Sequence, residues 1–256
     1  MATTPLAGKV ALVIGIANAH SIAYGVARSL KAQGAELALT YLNDRTRDFV
    51  EPLLSELAPG VFVPCNVEEP GSLEAAFEAV RQQWGRVDIV IHSIAFATRE
   101  DLHGRVVDSS ATGFARAMDI SCHSFIRTAK LAEPLMTEGG TLITMSYYGA
   151  EKVVPNYGVM GPVKAALEAT TRYLAAELGP RRIRVHAVSP GPVRTRAASG
   201  IPEFDHLIEE ASRRAPLQAL IDIDDVGEAV AFLCEPGAKM ITGSVFYVDG
   251  GMHILA

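Results

Sequence analysis

The sequence lacks the features that mark secreted, membrane-bound and metal-binding proteins. It has no basic segment followed by a long apolar run near its beginning, and no apolar stretch approaches the length of a membrane span. The cysteines, Cys65, Cys122 and Cys234, are scattered singly without a Cys-x-x-Cys pair, and the histidines show no metal-ligand spacing. We therefore expect a cytoplasmic protein with no membrane partner, no disulfide framework and no metal site.

Charge is also scarce. Charged residues make up 20% of the 256 residues and the net charge is -6, so neither a disordered chain nor a surface for polyanions is indicated, and we expect no nucleic-acid partner. Apolar residues make up 49%, which is enough for a sizeable core. No linker rich in proline, glycine or serine divides the chain. We therefore expect one domain over residues 1–256.

Apolar runs rich in valine and isoleucine alternate with segments of helical periodicity. The first run, residues 10–15, is followed by a helical segment at 22–30. Later strands are predicted at 35–41, 61–65, 87–93, 140–146, 183–188 and 244–248, and helices at 44–57, 72–84 and from an N-cap at Asp222 to Cys234. Continuous apolar strands imply burial on both faces, which predicts an α/β fold with a single-domain, Rossmann-type, doubly wound parallel sheet flanked by helices on both faces.

The alternation is interrupted at residues 189–216, which are rich in proline before a helical segment at 204–214. This interruption follows a strand at the edge where ligands of such sheets bind, so we interpret it as a substrate-binding lid. An ordinary surface connection is the alternative interpretation.

The segment after the first strand, residues 15–25, stands where a dinucleotide-binding fold has its phosphate loop. It lacks the Gly-x-Gly-x-x-Gly spacing, but Gly15 allows a tight turn and Ser21 can cap the following helix with its hydroxyl. The helix that begins at Ile22 supplies free amide groups and positive potential for a pyrophosphate. We therefore predict a nucleotide site here.

The residues after the second strand bear on the choice of cofactor. Neither a well-placed acid for the NAD ribose nor an arginine for the NADP phosphate is present, because the sequence reads Leu42-Asn43-Asp44. Arg45 and Arg47 lie near enough to keep NADPH as the alternative cofactor. We favour NADH.

The pair Tyr157 and Lys164 points to the chemistry. Seven positions are about two helical turns, which predicts that both side chains share one face of a helix. A phenol beside an ammonium can donate a hydrogen bond or proton to an oxygen that gains negative charge, which suggests reduction of a carbonyl compound. Taken alone, such a pair is more often a packing or solubility feature. A second tyrosine, Tyr147, precedes the pair by ten positions.

Four motifs follow one another along the chain: Gly15 with residues 21–25, residues 92–97, residues 146–147 and 155–157 with Lys164, and residues 191–195 followed by 197–200. Together these motifs resemble the short-chain dehydrogenase/reductase superfamily and, within it, the bacterial enoyl-acyl-carrier-protein reductases of type II fatty acid synthesis. The resemblance covers nearly the whole chain. It implies a single dinucleotide-binding reductase domain.

One position separates this branch from the ordinary superfamily, which has its proton-donating tyrosine four positions before the lysine. Here that position is Met160, whose thioether cannot protonate an alkoxide, so reduction of a ketone by the usual route is disfavoured. The resemblance instead implies hydride transfer from NADH to the β carbon of a trans-2-enoyl thioester held on acyl carrier protein. It also suggests a homotetramer assembled partly through the last strand.

The resemblance assigns roles to individual residues. Tyr157 would hydrogen-bond the thioester oxygen as it becomes an enolate, Lys164 would hold the cofactor ribose, and Tyr147 would orient the substrate. The implied cofactor-binding residues are Gly15, Ser21, Ile22, Asn66, Val67, Ser93, Ile94, Ala95, Lys164, Val193 and Thr195. The implied substrate-binding residues are Ala97, Tyr147, Tyr157 and Met160.

Three departures from the family pattern leave alternatives open. The family commonly has aspartate at the position of Asn66, glycine at that of Ala95 and, in NADH-using members, glutamine at that of Leu42. A divergent reductase of another activated alkene or of a ketone is therefore one alternative, and a catalytically silent nucleotide-binding regulator is another. Retention of the tyrosine and lysine pair argues against the regulator, because a pure binder needs no phenol aimed at a substrate.

Overall fold

The computed structural model describes residues 4–195 and 204–255. In this part of the chain seven parallel strands form one sheet, and no helix is long and apolar enough to cross a membrane. The strands are β1 (Val10–Ile14), β2 (Glu36–Tyr41), β3 (Val61–Pro64), β4 (Ile89–His92), β5 (Gly140–Met145), β6 (Ile183–Pro190) and β7 (Val245–Val248). Their order, β3-β2-β1-β4-β5-β6-β7, is that of a Rossmann-type doubly wound sheet and confirms the predicted fold class.

Helices connect the strands and cover both faces of the sheet. The α-helices are α1 (Ile22–Ala32), α2 (Asp44–Val50), α3 (Leu54–Leu57), α4 (Ser72–Trp84), α5 (Arg99–His103), α6 (Ala111–Met118), α7 (Ser124–Ala132), α8 (Met160–Leu178), α9 (Phe204–Arg214) and α10 (Ile223–Cys234). A π-helical turn, Asp119–His123, joins α6 to α7. Short 3-10 turns lie at Glu51–Leu53, Val106–Asp108, Glu133–Leu135, Tyr148–Ala150, Gly179–Arg181, Pro236–Ala238 and Met252–Ile254.

Alternate residues of the central strands pack on opposite faces of the sheet. In β1, Val13 belongs to a buried cluster with residues of α1 and α10, whereas Leu12 belongs to a second cluster with residues of α4, α7 and α8. Both side chains are completely buried. Burial on both faces explains why the strands read as continuous apolar runs.

The helix predicted at 44–57 is interrupted, and this prediction is wrong in detail. Pro52 has no amide hydrogen to donate, and a 3-10 turn at Glu51–Leu53 separates α2 from α3. The left-handed backbone of Ala58, with φ of +41°, then ends α3. The other predicted strands and helices lie within about two residues of the observed bounds.

The predicted lid at 189–216 is described only at its two ends. β6 continues to Pro190, and α9 confirms the helical segment predicted at 204–214. Residues 196–203, which include Arg196 and the motif at 197–200, lie outside the described residues. The lid and the single-domain boundary therefore stay predictions.

α10 begins with a reciprocal cap, which confirms the prediction made from its first aspartates. Asp222 Oδ1 accepts hydrogen bonds from the amides of Asp224 and Asp225 at 2.8 and 3.0 Å. The Asp225 carboxylate in turn accepts from the amide of Asp222 at 2.8 Å. These bonds satisfy backbone donors that the first turn of a helix leaves free.

Glycines allow α1 and α10 to approach each other closely. A Cβ at Gly25 would lie 2.2 Å from the carbonyl oxygen of Ile223, and one at Gly227 would lie 2.5 Å from the carbonyl oxygen of Gly25. Because both obstacles are backbone atoms, no side-chain rotation can relieve the clash. The contact therefore fixes α1, whose first turn follows the phosphate loop.

We expect Gly25→Ala to lower the free energy of unfolding by about 2 kcal/mol, because the added methyl group must push α1 away from α10. Gly179→Ala is the matched control, since Gly179 has right-handed helical backbone angles and nothing lies within 4 Å of an added Cβ. Urea unfolding at one fixed protein concentration measures both variants. Equal stabilities for the two variants would contradict the close helix contact.

Candidate active site

The carboxyl ends of β1 and β4 mark the point where the strand order reverses. From β1 the sheet continues to one side through β2 and β3, and from β4 it continues to the other side through β5, β6 and β7. Gly15 follows β1 and Ser93 follows β4, and the Ser93 amide donates to the carbonyl oxygen of Ile14 at 3.0 Å. In open α/β sheets ligands bind in the crevice at such a point.

Gly15 lets two backbone segments come together at this crevice. Its φ is +102°, and a Cβ there would lie 2.5 Å from the carbonyl oxygen of Ser93. Its amide donates to Thr40 Oγ1 at 3.2 Å, and Thr40 is completely buried in β2. Sequence reasoning missed Thr40 as a residue that shapes the site. The sequence feature that could have identified Thr40 is its hydroxyl, which stands inside an apolar strand.

The start of α1 leaves backbone amides free for an anion. Ser21 occupies the N-cap position, but its hydroxyl donates to the carbonyl oxygen of Asn18 at 2.8 Å and accepts no hydrogen bond from the helix. The predicted side-chain cap is therefore wrong, because the hydroxyl stabilises the loop instead. Within the described residues, the amides of Ile22 and Ala23 donate to no protein acceptor. Free amides at the positive end of a helix suit a pyrophosphate.

The turn after β3 lies at the same edge of the sheet. Asn66 Oδ1 accepts from the amide of Glu68 at 3.1 Å, and its Nδ2 donates to Glu69 Oε1 at 2.9 Å. Val67 is buried, and its carbonyl oxygen accepts from Arg127 at 2.9 Å. Asn66 thus shapes this turn with its own side chain, and one lone pair of Oδ1 is left for a ligand.

A buried serine holds the loop that follows β4. Ser121 lies in the π-helical turn, and its Oγ accepts from the amide of Phe96 at 2.9 Å and donates to the carbonyl oxygen of Phe96 at 3.1 Å. These bonds fix the far end of the predicted cofactor segment Ser93-Ile94-Ala95, in which Ile94 is partly buried and Ala95 is exposed. Sequence reasoning missed Ser121, because a π-helical turn has no periodicity to detect.

The predicted substrate residues meet in one apolar cluster. Tyr157 and Met160 are buried in it, and Ala97 and Tyr147 pack against it. The rings of Tyr147 and Tyr157 meet edge to face, with centroids 4.8 Å apart. Burial raises the pKa of Tyr147 to about 12 and raises the pKa of Tyr157 as well. Both phenols are therefore protonated and able to donate at neutral pH.

Tyr157 and Lys164 do not share one helix, so the prediction made from their spacing is wrong. α8 begins at Met160, and Tyr157 precedes it in a turn where Asn156 and Gly158 have φ of +62° and +50°. Left-handed backbone is compatible with glycine and asparagine and cannot continue a right-handed helix. A tight turn, and not helical periodicity, therefore places the Tyr157 phenol in the cluster.

Lys164 is the buried cation of the site. It is 4% exposed, and its Nζ donates to the carbonyl oxygen of Met145 at 2.6 Å. Burial lowers the pKa of Lys164 to about 8, whereas Cys122 and Glu168 act in the opposite direction. In the described part of the chain no hydrogen bond joins Lys164 to Tyr157. The end of β5 therefore holds the ammonium, two residues before the first site tyrosine.

A cleft of about 240 Å³ lies between the phosphate loop and the segment after β6, with His20, Val193 and Ile208 among its walls. Val193 is buried against the sheet core, and the amide of Thr195 donates to its carbonyl oxygen at 2.8 Å. The structure thus brings Val193 to the same cleft as the phosphate loop. Thr195 follows it just before the end of the described segment.

His92 ends β4 and is completely buried. Its Nδ1 lies 3.0 Å from Thr144 Oγ1, and its Nε2 lies 2.7 Å from Ser124 Oγ. Burial lowers the pKa of His92 to about 3, with a smaller contribution from the ammonium of Lys164. The imidazole is therefore neutral at pH 7 and joins β4 to its neighbours.

Comparison with known proteins places these features in a family. The family described as enoyl-(acyl carrier protein) reductase matches residues 15–253. An enoyl-acyl-carrier-protein reductase (NADH) FabI of Nostoc sp. is 48% identical over 98% of this chain and 98% of its own length.

Solved structures are similar along the whole fold. The enoyl-(acyl-carrier-protein) reductase of Anaplasma phagocytophilum, in complex with NAD, has a TM-score of 0.95 and 44% identity, covering 100% of this chain and 97% of its own. The enoyl-acyl carrier protein reductase of Bacillus cereus, with NADP+ and an indole naphthyridinone, has a TM-score of 0.96 and 43% identity. The latter match covers 98% of this chain and 99% of its own.

We expect the free energy of unfolding to decrease as the pH is lowered below about 6.5, and we expect His92 to be one cause. Its folded pKa, about 3, lies below the ordinary value of 6.5, so the unfolded chain binds a proton that the folded chain does not. Stability present above pH 6.5 is therefore lost progressively toward pH 3. His92→Gln should reduce the slope of unfolding free energy between pH 6.5 and 5 by up to about 1.4 kcal/mol per pH unit.

Urea unfolding at several pH values measures this slope. His20→Gln, which removes an exposed histidine of the loop after β1, is the control and is compared with the wild type in the same experiment. A wild-type slope in His92→Gln would contradict the buried neutral imidazole.

Proposed function

The chain belongs to the enoyl-(acyl carrier protein) reductase family, and on that premise we propose that it reduces trans-2-enoyl thioesters carried on acyl carrier protein, with NADH as hydride donor, in bacterial fatty acid synthesis. The observation that carries this proposal is the enclosed pair of protonated phenols, Tyr147 and Tyr157, together with the buried ammonium of Lys164. A thioester oxygen that gains negative charge is stabilised by donors of this kind.

The residues of the crevice fit a dinucleotide. The turn at Gly15 has no room for a side chain, and the free amides of Ile22 and Ala23 suit the pyrophosphate. When bound, NADH supplies the hydride that the β carbon of the substrate accepts. The other proposed contacts come from Ser21, Asn66, Val67, Ser93, Ile94, Ala95, Lys164, Val193 and Thr195.

The carboxyl end of β2 favours NADH over NADPH. Leu42 is half exposed and offers only apolar contact, and Asn43 Oδ1 is occupied by the amide of Thr46 at 3.1 Å. Asp44 opens α2 and adds negative charge near the place where the 2′-phosphate of NADPH would lie. Arg45, which is exposed beside it, is the cation that makes NADPH worth testing as the second cofactor.

We propose that Tyr157 donates the hydrogen bond to the enolate oxygen. Its phenol is enclosed by apolar side chains, where a hydrogen bond to developing charge is stronger than in water. Tyr147 packs edge to face on that ring and restricts the position of the substrate. Ala97 and Met160 line the same cluster and exclude water from the reacting oxygen.

We propose that Lys164 donates hydrogen bonds to the ribose hydroxyls of the cofactor. An ammonium has three N–H donors, and the carbonyl oxygen of Met145 uses one of them, so two are left. Below pH 8 the side chain carries its positive charge, which also favours the enolate. Holding the ribose fixes the nicotinamide against the substrate.

Met160 separates this function from ketone reduction. It is buried at the start of α8, at the position from which the wider superfamily donates its proton. A thioether is only a weak acceptor and has no proton to give. An alkoxide formed from a ketone would therefore lack the usual proton donor.

We also propose a homotetramer in the cytoplasm. β7 is an edge strand of the sheet, and the apolar side chains of Met240 and Ile254, which precede and follow it in sequence, are 88% and 68% exposed. An apolar edge of this kind is suited to burial against another subunit. The three cysteines are buried free thiols, which suits a reducing compartment.

We expect purified protein to oxidise NADH with crotonyl thioester and not with acetoacetyl thioester, because Met160 cannot supply the proton that ketone reduction needs. The loss of reduced-cofactor absorbance measures both reactions, with NADH and with NADPH. Oxidation with the ketone alone would overturn the role given to Met160. Inactivity with both substrates, in protein that binds NADH, would favour a divergent alkene reductase or a silent regulator.

We expect Tyr157→Phe to lower kcat by about 100-fold with little change in NADH affinity, because the phenol acts on the charge that develops during the reaction. Lys164→Ala should instead weaken NADH binding directly. Tyr148→Phe, one residue after Tyr147, is the control and should change neither quantity. Equal losses of NADH affinity in Tyr157→Phe and Lys164→Ala would refute this division of roles.

A further inference from the structure

Glu168 is a buried carboxylate on α8 that the proposed mechanism does not use. It lies one helical turn after Lys164 and is 5% exposed. Ser146 donates a hydrogen bond to Glu168 Oε1 at 2.5 Å. Ser146 directly follows Met145, whose carbonyl oxygen accepts from Lys164. Two consecutive residues at the end of β5 are thus held by two side chains one turn apart on α8.

Titratable and charged groups reach these two side chains from several elements. Cys122 of the π-helical turn and Glu168 raise the pKa of Lys164, and the ammonium of Lys164 in turn lowers the pKa of His92 of β4. Glu151, Arg172 and Lys164 act on the pKa of Glu168, and Glu168 in turn raises the pKa of Tyr157 and of Tyr247. Since His92 is held neutral, Glu168 is the carboxylate among the groups that face Lys164 in the described part of the chain.

Lys164 and Glu168 each favour the charged form of the other. Burial lowers the pKa of Lys164, whereas Cys122 and the carboxylate of Glu168 raise it. Burial raises the pKa of Glu168, and the hydrogen bond from Ser146 and the ammonium of Lys164 lower it. In the described part of the chain no hydrogen bond or ion pair joins the two side chains directly, so the carboxylate acts on the ammonium through space.

We propose that Glu168 is a positioning residue for Lys164. Through Ser146 it fixes the strand end whose carbonyl oxygen receives the ammonium, and its carboxylate supplies the negative charge that keeps the ammonium protonated. This inference deepens the proposed function and rests on it, because there Lys164 holds the cofactor. Glu168 would then set the upper pH limit of NADH binding.

The direct test is the pH titration of Lys164 in cofactor-free protein. NMR of lysine labelled with ¹³C at Cε monitors the titration, and comparison with Lys164→Arg assigns the Lys164 signal. We expect a midpoint of about 8 in the wild type. Glu168→Gln keeps the size and the hydrogen-bond acceptor but removes the charge, so its midpoint should be lower by about one pH unit. Glu177→Gln, an exposed position on α8, is the matched control and should keep the wild-type midpoint.

Two further variants separate the charge from the hydrogen bond. Glu168→Asp keeps the charge but draws the carboxylate back from Ser146, and Ser146→Ala removes the hydroxyl. Both should keep the Lys164 midpoint close to that of the wild type. Both should weaken NADH binding roughly fivefold, because the carbonyl that holds the ammonium is less firmly fixed.

An unchanged midpoint in folded Glu168→Gln would overturn the proposal, and so would equal midpoint shifts in Glu168→Gln and Glu168→Asp. If Glu168→Gln does not fold, wild-type NADH affinity in both Glu168→Asp and Ser146→Ala would overturn it. The NMR titration needs neither cofactor nor thioester. A protein that fails to reduce enoyl thioesters would therefore refute the proposed function while the effect of Glu168 on Lys164 could still be measured.

Discussion

The burial of one ammonium at the end of β5 is the constraint on which the rest of the candidate site depends. Burial favours the neutral form of the phenols of Tyr147 and Tyr157 and of the amine of Lys164. The phenols are useful as neutral donors, so burial alone suits them. The lysine is useful as a cation, so it requires groups that offset its burial. The carbonyl oxygen of Met145 accepts a hydrogen bond from the ammonium, and Cys122 and Glu168 raise its pKa.

Backbone contacts set the frame around this cation. Gly15 brings the end of β1 against the end of β4, where a Cβ would meet the carbonyl oxygen of Ser93. Gly25 allows α1 to pack closely against α10, which restricts the position of the helix whose first turn carries the free amides. Ser121 then holds the loop after β4 through two hydrogen bonds to Phe96. These contacts join segments that are far apart in sequence.

Much of the fold could be predicted because its signals are local. The strands read as apolar runs, and the caps of α10 are visible as Asp222 and Asp225. The errors arose where a distant contact or a turn competed with a local pattern. Ser21 has the right position for a capping residue, but its hydroxyl bonds to Asn18 in the loop. Tyr157 has helical spacing to Lys164, but left-handed residues on both sides of it keep it out of α8.

By itself the sequence determined the fold class, the position of the phosphate loop and the identity of the tyrosines and lysine, since periodicity, glycine position and motif order are properties of the chain read in one dimension. Only the tertiary structure decided what those side chains contact. No sequence motif identifies Thr40, Ser121 or Glu168. They lie near the site because the folded chain brings them there. The tertiary structure also decides the pKa of Lys164, because burial and neighbouring charge exist only after the chain has folded.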